Sequence, residues 1–382
     1  MRERLRQLVS IPSVSSVLEE YDQSNRPIVE LLANWLEGLG FRVELQTADS
    51  KRGKLNLVAC RGSGEGGLVL AGHTDTVPYE EGRWASNPFE LAEDGDWLYG
   101  LGVSDMKGAF VAFFEAIERT MEFNWKHPLW VIATADEESG MSGVRTLLKR
   151  GMPKARFAVI GEPTSMRAVR MHKGVAVERI EIWGRSGHSS NPSQGANAIE
   201  AMRRVMNAIT QFEKELATKY LRSEFHPPTI TINFGFIRGG DNPNRIAPYS
   251  ELGFDIRLLP GVEIAALREE LLQRAKEAVK GMGVELQMAS IAPAIPPFEN
   301  SGTSVLVRAV EKLLGEAAGT ASFATEAPFY ELGGWDVVVL GPGEIESAHQ
   351  PNERLSLTML HRAVEVYASL ITRFCIHGVD GG

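Results

Sequence analysis

Between Val175 and Met288 the hydrophobic pattern spells out an order of elements that few folds accommodate. Val175–Trp183 reads as a strand, after which Ile199, Met202, Val205, Ile209, Phe212 and Leu216 recur at the spacing of one helix face. Ile230, Ile232, Phe234 and Phe236 then alternate strictly, as do Leu252, Phe254, Ile256 and Leu258, the mark of half-buried strands. A second amphipathic helix carries Ile264, Leu267, Leu271 and Ala275, and a strand around Val284–Met288 closes the series. The order β-α-β-β-α-β is the split βαβ, or ferredoxin-like, arrangement. Residues 175–289 therefore read as a whole small domain inserted into a larger one.

The flanks have a different texture. Ile28, Leu31, Leu32, Trp35, Leu36 and Leu39 share helical spacing, and Gly40 stops that helix. Short apolar runs at Leu55–Cys60, Leu68–Ala71, Leu129–Ala135 and Phe157–Ile160 look like strands of a sheet covered on both faces, with a helix over Gly108–Met121 between them. After the Pro-rich stretch Pro293–Pro297 come a helix from Ser304 to Leu314, a strand at Val337–Leu340 and a terminal helix. Residues 1–174 and 290–382 thus form one discontinuous α/β domain. With 382 residues the chain exceeds what one core usually organises, so two domains are expected.

Composition narrows the function classes. A net charge of −9 argues against nucleic acid, which is bound by clustered Lys and Arg. Met1–Val9 carries charges but no signal-peptide core behind them, and no apolar run approaches the roughly 20 residues of a spanning helix, so no membrane is expected. Cys60 and Cys375 are too few for a disulfide framework and fit a reducing, cytoplasmic setting. They are also too few for a thiolate cage, so any metal must rest on His and carboxylates.

Five loops, each just after an apparent strand, carry such residues. In open α/β sheets the carboxyl ends of strands form the ligand crevice, so loops distant in sequence can converge there. His73 stands in His73-Thr-Asp75, where the extended chain would turn Asp75 the same way to accept the second ring N–H. Asp105 precedes a helix and fits either an N-cap or a carboxylate between two cations. Asp136, Glu137 and Glu138 end an apolar strand, where clustered charge calls for a cation and can leave one carboxylate free as a base. Glu162 and His349 follow two further strands. A mixed His and carboxylate set suits Zn²⁺ or Co²⁺ better than Ca²⁺ or Mg²⁺. Two such ions roughly 3.5–4 Å apart suit hydrolysis of an amide or related acyl bond. A competing motif, Gly62-Ser-Gly64-Glu-Gly-Gly67, fits a dinucleotide loop only by pattern: a strand follows it, not a helix, so a β-hairpin turn is the expectation.

In order and spacing, His73-Thr-Asp75, Ser104-Asp105-Met-Lys-Gly, Asp136-Glu137-Glu138, Gly161-Glu162-Pro-Thr and His349 resemble the M20 metallopeptidases and deacylases over nearly the whole chain. Gly72–Trp84, His172-Lys-Gly, Gly187-His188-Ser-Ser, Asn244-Arg245-Ile and Thr325–Pro328 lean toward the family's amino-acid deacetylase branch. The desuccinylase branch shows Gly-Arg-Arg-Gly-Ser and Gly-Gly-Thr-Ser where this chain has His172–Val175 and Thr325–Pro328. The resemblance implies a zinc-peptidase-like catalytic domain with the insert as lid and dimerisation domain, two divalent ions and a small N-acyl amino acid as substrate. It assigns His73 and Glu162 to one ion, Glu138 and His349 to the other, and Asp105 to both. Glu137 would be the general base, with Asp75 orienting His73. His188 would cross from the partner of a homodimer to stabilise the oxyanion. Asn244 and Arg257 would bind a substrate carboxylate, although Arg257 is equally well placed for a salt bridge with Asp255, and Glu326 would contact a substrate ammonium. An inactive metal-binding scaffold is the non-enzymatic alternative, against which the spare carboxylate of Glu137 argues.

Overall fold

Val58, Leu70, Val159 and their strand neighbours are shut off from solvent, and this burial sets the central architecture. The computed structural model describes residues 1–378. The chain divides into two units, one of Met1–Arg170, Asn300–Gly319 and the chain from Thr325, the other of Met171–Glu299 and Thr320–Ala324.

The first unit opens with helices α1 (Arg2–Val9) and α2 (Arg26–Gly38) and strands β1 (Arg42–Asp49), β2 (Lys54–Arg61) and β3 (Leu68–His73). Short strands β4 (Ala92–Asp94) and β5 (Trp97–Tyr99) precede α3 (Gly108–Thr120) and β6 (Leu129–Thr134). Then come α4 (Ser142–Arg150), β7 (Phe157–Ile160) and β8 (Val169–His172). The second unit contributes β9 (Gly174–Trp183), α5 (Ala198–Lys219), β10 (Thr231–Gly239), β11 (Tyr249–Leu258), α6 (Ile264–Ala278), β12 (Glu285–Ser290) and β13 (Phe298–Glu299). The chain closes with α7 (Val305–Leu314), β14 (Gly319–Ala321), α8 (Ala327–Leu332), β15 (Asp336–Val339), β16 (Arg354–Ser356) and α9 (Leu357–Ile371).

The main sheet runs β1-β2-β6-β3-β7-β15-β8. Its middle strands β6, β3, β7 and β15 are mutually parallel, with Leu70 of β3 set between Val131 and Val159. Four carboxyl ends therefore emerge along one edge, the arrangement that builds ligand sites in open α/β sheets. Helix α3 buries Phe110, Phe113 and Phe114, and the Phe113 ring lies 4.9 Å from that of Tyr367 on α9. The hydroxyl of Tyr367 donates to the carbonyl of Leu340 at 2.7 Å, tying α9 to the end of β15. The segment 62–67 is not the expected hairpin turn: β6 lies between β2 and β3, antiparallel to one and parallel to the other.

In the second unit β9, α5, β10, β11, α6 and β12 follow the expected β-α-β-β-α-β order, and the antiparallel sheet runs β10-β11-β9-β12. Val205, Ile209, Phe212 and Leu216 of α5 and Leu267 and Leu271 of α6 enter its core. The strict alternation expected along β10 fails: the register shifts between Phe234 and Phe236, and Phe236 is exposed. No described helix is long and apolar enough to cross a membrane.

Candidate metal centre

The loops after β3, β6, β7 and β15 bring His73, Glu137 and Glu138, Glu162 and His349 together within the first unit. Asp105 instead enters from the irregular turn before α3, which follows β5 of a separate small sheet rather than a strand of the main one. His73 is the last residue of β3 and is buried. Its Nε2 lies 3.0 Å from Asp105 Oδ1 and 3.7 Å from Glu162 Oε2. His349 Nε2 lies 3.0 Å from Glu138 Oε1 and 3.4 Å from Asp105 Oδ2. Asp105 thus turns one oxygen toward each histidine. His73, Asp105 and Glu162 form one potential ion-holding group and Asp105, Glu138 and His349 another, each with ligand atoms within 4.8 Å of one another. Glu137 joins His73 and Glu138 in a third. The His349 side chain is 51% exposed, so the centre is open to solvent on that side, while Asp105, Glu138 and Glu162 are enclosed.

Local backbone explains the placement. Asp105 is not the helix cap: α3 begins at Gly108 behind Lys107, and Asp105 takes φ −121°, ψ 92° inside an irregular turn. Asp136 adopts φ +57°, a left-handed conformation that Asp tolerates better than most residues. Its carboxylate accepts hydrogen bonds from Ser15 (2.9 Å) and Ser142 (2.7 Å) and pairs with the buried Lys54 at 2.9 Å. Lys54 also bonds Asp22 at 2.8 Å. The first of the three consecutive acids is therefore an anchor, and the other two face the centre.

Asp75 departs from expectation. The Nδ1 of His73 lies 3.0 Å from the backbone carbonyl of Asp75 and 3.7 Å from its carboxylate. The carboxylate instead accepts the backbone N–H groups of Glu137 (3.3 Å) and Glu138 (3.1 Å). The carbonyl fixes the tautomer that leaves Nε2 free to ligate, and the side chain holds the Glu137–Glu138 turn.

The electrostatics show a centre short of positive charge. Burial, with the Glu162 charge beside it, pushes Glu137 well above the usual carboxylate range. Burial raises Glu162 to about 7 against the pull of His73, and raises Glu326 to about 8. Asp105 is held low: burial works against its charge, but hydrogen bonds from His349 and His73 prevail. The hydrogen bonds that His349 donates to Asp105 and then to Glu138 lift it to about 10. Buried carboxylates that raise one another need a cation to stay ionised. The buried Oε1 of Glu162 has no hydrogen-bond partner among the described residues, as befits an atom reserved for one. The donor set fits a pair of divalent ions.

The remaining expected residues are placed as follows. Glu326 is not a solvated loop carboxylate: it is fully buried at the start of α8, where Tyr330 donates to it at 3.2 Å. In the second unit, His188 and Asn244 line one cavity of about 370 Å³ with Ser186, Gly187 and Arg245. His188 Nδ1 accepts the Ser190 backbone N–H at 3.2 Å and lies 2.7 Å from the Ser190 hydroxyl, which leaves the ring proton on Nε2. Arg257 is not among the residues lining that cavity and bonds Asp255 at 2.9 Å. Sequence reasoning missed Lys54, although a lysine opening a buried strand is itself a signal, and Glu353, four residues beyond His349.

Comparisons with known proteins identify the family. Residues 69–373 match peptidase family M20/M25/M40. An acetylornithine deacetylase of Pasteurella multocida is 45% identical over 96% of this chain and 96% of its own, and one of Proteus mirabilis is 44% identical over 98% and 96%. Among solved structures, a tripeptidase of Staphylococcus aureus superposes with a TM-score of 0.77 at 20% identity, covering 97% of this chain and 96% of its own. A dinuclear metal binding peptidase of the M20 family from Bacillus subtilis gives 0.66 at 17% over the same shares. The strand-end loops, the inserted unit and these full-length matches have one reading: the chain is a hydrolase belonging to peptidase family M20/M25/M40.

Proposed function

We propose that the chain removes the acetyl group of N2-acetyl-L-ornithine, giving L-ornithine and acetate in arginine biosynthesis, as a cytoplasmic homodimer using two Zn²⁺ ions, with Co²⁺ able to replace them. The observation that carries the chemistry is Asp105, whose two oxygens face His73 and His349 while Glu137 stands beside Glu138. The substrate rests on relatives of that name that align along nearly the whole chain. His73 and Glu162 would hold one ion and Glu138 and His349 the other, with Asp105 available to both. When bound, the ions polarise the acyl oxygen and acidify the attacking water.

The residues do the rest. Glu137 takes a proton from the water that attacks the acetyl carbon and returns it to the amide nitrogen as the C–N bond breaks, a contribution of ~10²–10⁴ in rate. Asp75 keeps Glu137 and Glu138 in register through their N–H groups. His188, with its ring proton on Nε2, stabilises the oxyanion from a second copy of the chain, the inserted unit being the dimer contact. Asn244 and Arg257 receive the substrate carboxylate, Arg257 exchanging Asp255 for it. Glu326, enclosed near Glu162 and His73, contacts the substrate ammonium, and the positive charges of the ions and of that ammonium hold its buried carboxyl ionised.

The test is a panel of N2-acetylornithine, N-succinyl-diaminopimelate and dipeptides given to Zn²⁺-reconstituted protein. The highest kcat/KM is expected for acetylornithine. Preference for the succinyl substrate or a dipeptide overturns the assignment.

A further inference from the structure

We infer that Glu353 is a positioning residue whose carboxylate fastens the backbone carrying Asp105 to the segment carrying His349, so that both reach a shared cation in register. This rests on reading Asp105 and His349 as ligands. Glu353 is 2% exposed. Its Oε2 accepts the N–H of Gly102 at 2.8 Å, and its Oε1 accepts those of Ser104 at 2.8 Å and Asp105 at 2.9 Å. Its own carbonyl accepts the N–H of Gly100 at 3.2 Å. One residue thus closes around the stretch that leads into Asp105.

That stretch needs an outside clamp. Asp105 and Met106 have non-helical backbone angles, so the turn is not held by regular helix bonds. Buried N–H groups require acceptors, and three of them converge on one carboxylate. From the other side, His349 and Asn352 take φ of +59° and +62°, and Asn352 Oδ1 accepts the N–H of Ala85 at 2.7 Å. The segment from His349 to Glu353 is thereby anchored at two points, with His349 at one end and the Asp105 backbone at the other. A glutamine could not substitute, because its NH₂ would face a donor.

The test separates positioning from plain stability. Metal-stripped protein is titrated with Co²⁺ alone, recording affinity and visible absorption bands, for wild type, Glu353→Gln and Val364→Ala. Val364 is a buried core residue of α9, so its truncation lowers the melting temperature without touching the clamp. Glu353→Gln should lose about 10–100-fold in Co²⁺ affinity with altered bands, as supporting-residue changes commonly do, while Val364→Ala binds as wild type. Should Glu353→Gln not fold, Glu353→Asp, one methylene short of spanning three donors, is read by the same criteria. Two Co²⁺ bound equally by wild type and the Glu353 variant overturn this role alone, as does an equal affinity loss in Val364→Ala. Wild-type protein that takes up no Co²⁺ overturns the metal reading and this role with it.

Discussion

His172 is enclosed beside the Phe298 ring, 5.4 Å between centroids, and its Nδ1–H donates to the Lys173 carbonyl at 2.9 Å. Burial pushes its pKa down to about 4 from the ordinary 6.5 of a histidine. Between those values the unfolded chain binds a proton that the fold refuses. The stability His172 contributes is thus present above pH 6.5 and lost as pH falls toward 4. His172→Gln should flatten that slope, the wild type losing up to about 3 kcal/mol more across the window in denaturant titrations at stepped pH. Equal slopes in the two proteins would refute the burial argument. At this scale the sequence was legible in residue type more than in partner. Asp75 stood out beside His73, yet its carboxylate serves the Glu137–Glu138 backbone. Asp136 looked like one of three equivalent acids, yet Lys54, far off in the chain, makes it an anchor.

Strand ends are the elements that matter most, and Gly341 shows how tightly they meet. A side chain there would overlap the carbonyl groups of Gly161 and Glu162, where the chain leaves β7. The two segments also interlock through the Met166 N–H on the Gly341 carbonyl at 3.0 Å. Because backbone cannot swing aside as a side chain does, Gly341→Ala should cost about 1–3 kcal/mol in denaturation. It should also weaken Zn²⁺ binding by displacing Glu162. Unchanged stability and affinity would mean the strand ends are looser than drawn. Element types were readable because period and breakers are local signals: the apolar runs became β2, β3, β6 and β7, and Gly108 begins α3. Pairing was not. The glycines of 62–67 suggested a hairpin, but β6 occupies the gap between β2 and β3, and nothing near residue 62 encodes a strand that begins at Leu129.

For the molecule as a whole, the proposal that His188 acts across a homodimer has a quantitative consequence. Glu137→Gln and His188→Ala should each be nearly inactive alone. After subunit exchange at equal amounts, hybrid dimers regain one intact site, so about a quarter of wild-type activity should return. Mixtures no more active than the separate variants would place His188 in the site of its own chain or outside catalysis. The sequence by itself determined the α/β class, the β-α-β-β-α-β insert and the residue types of the centre, because hydrophobic period and the chemistry of His and carboxylate side chains are local properties. Only the tertiary structure decided that Asp105 turns one oxygen to each histidine, that Asp136 is held by Lys54 and that Glu353 grips the Asp105 turn. Those facts depend on which strands lie side by side and on where buried N–H groups find acceptors, and both are settled only when distant segments pack.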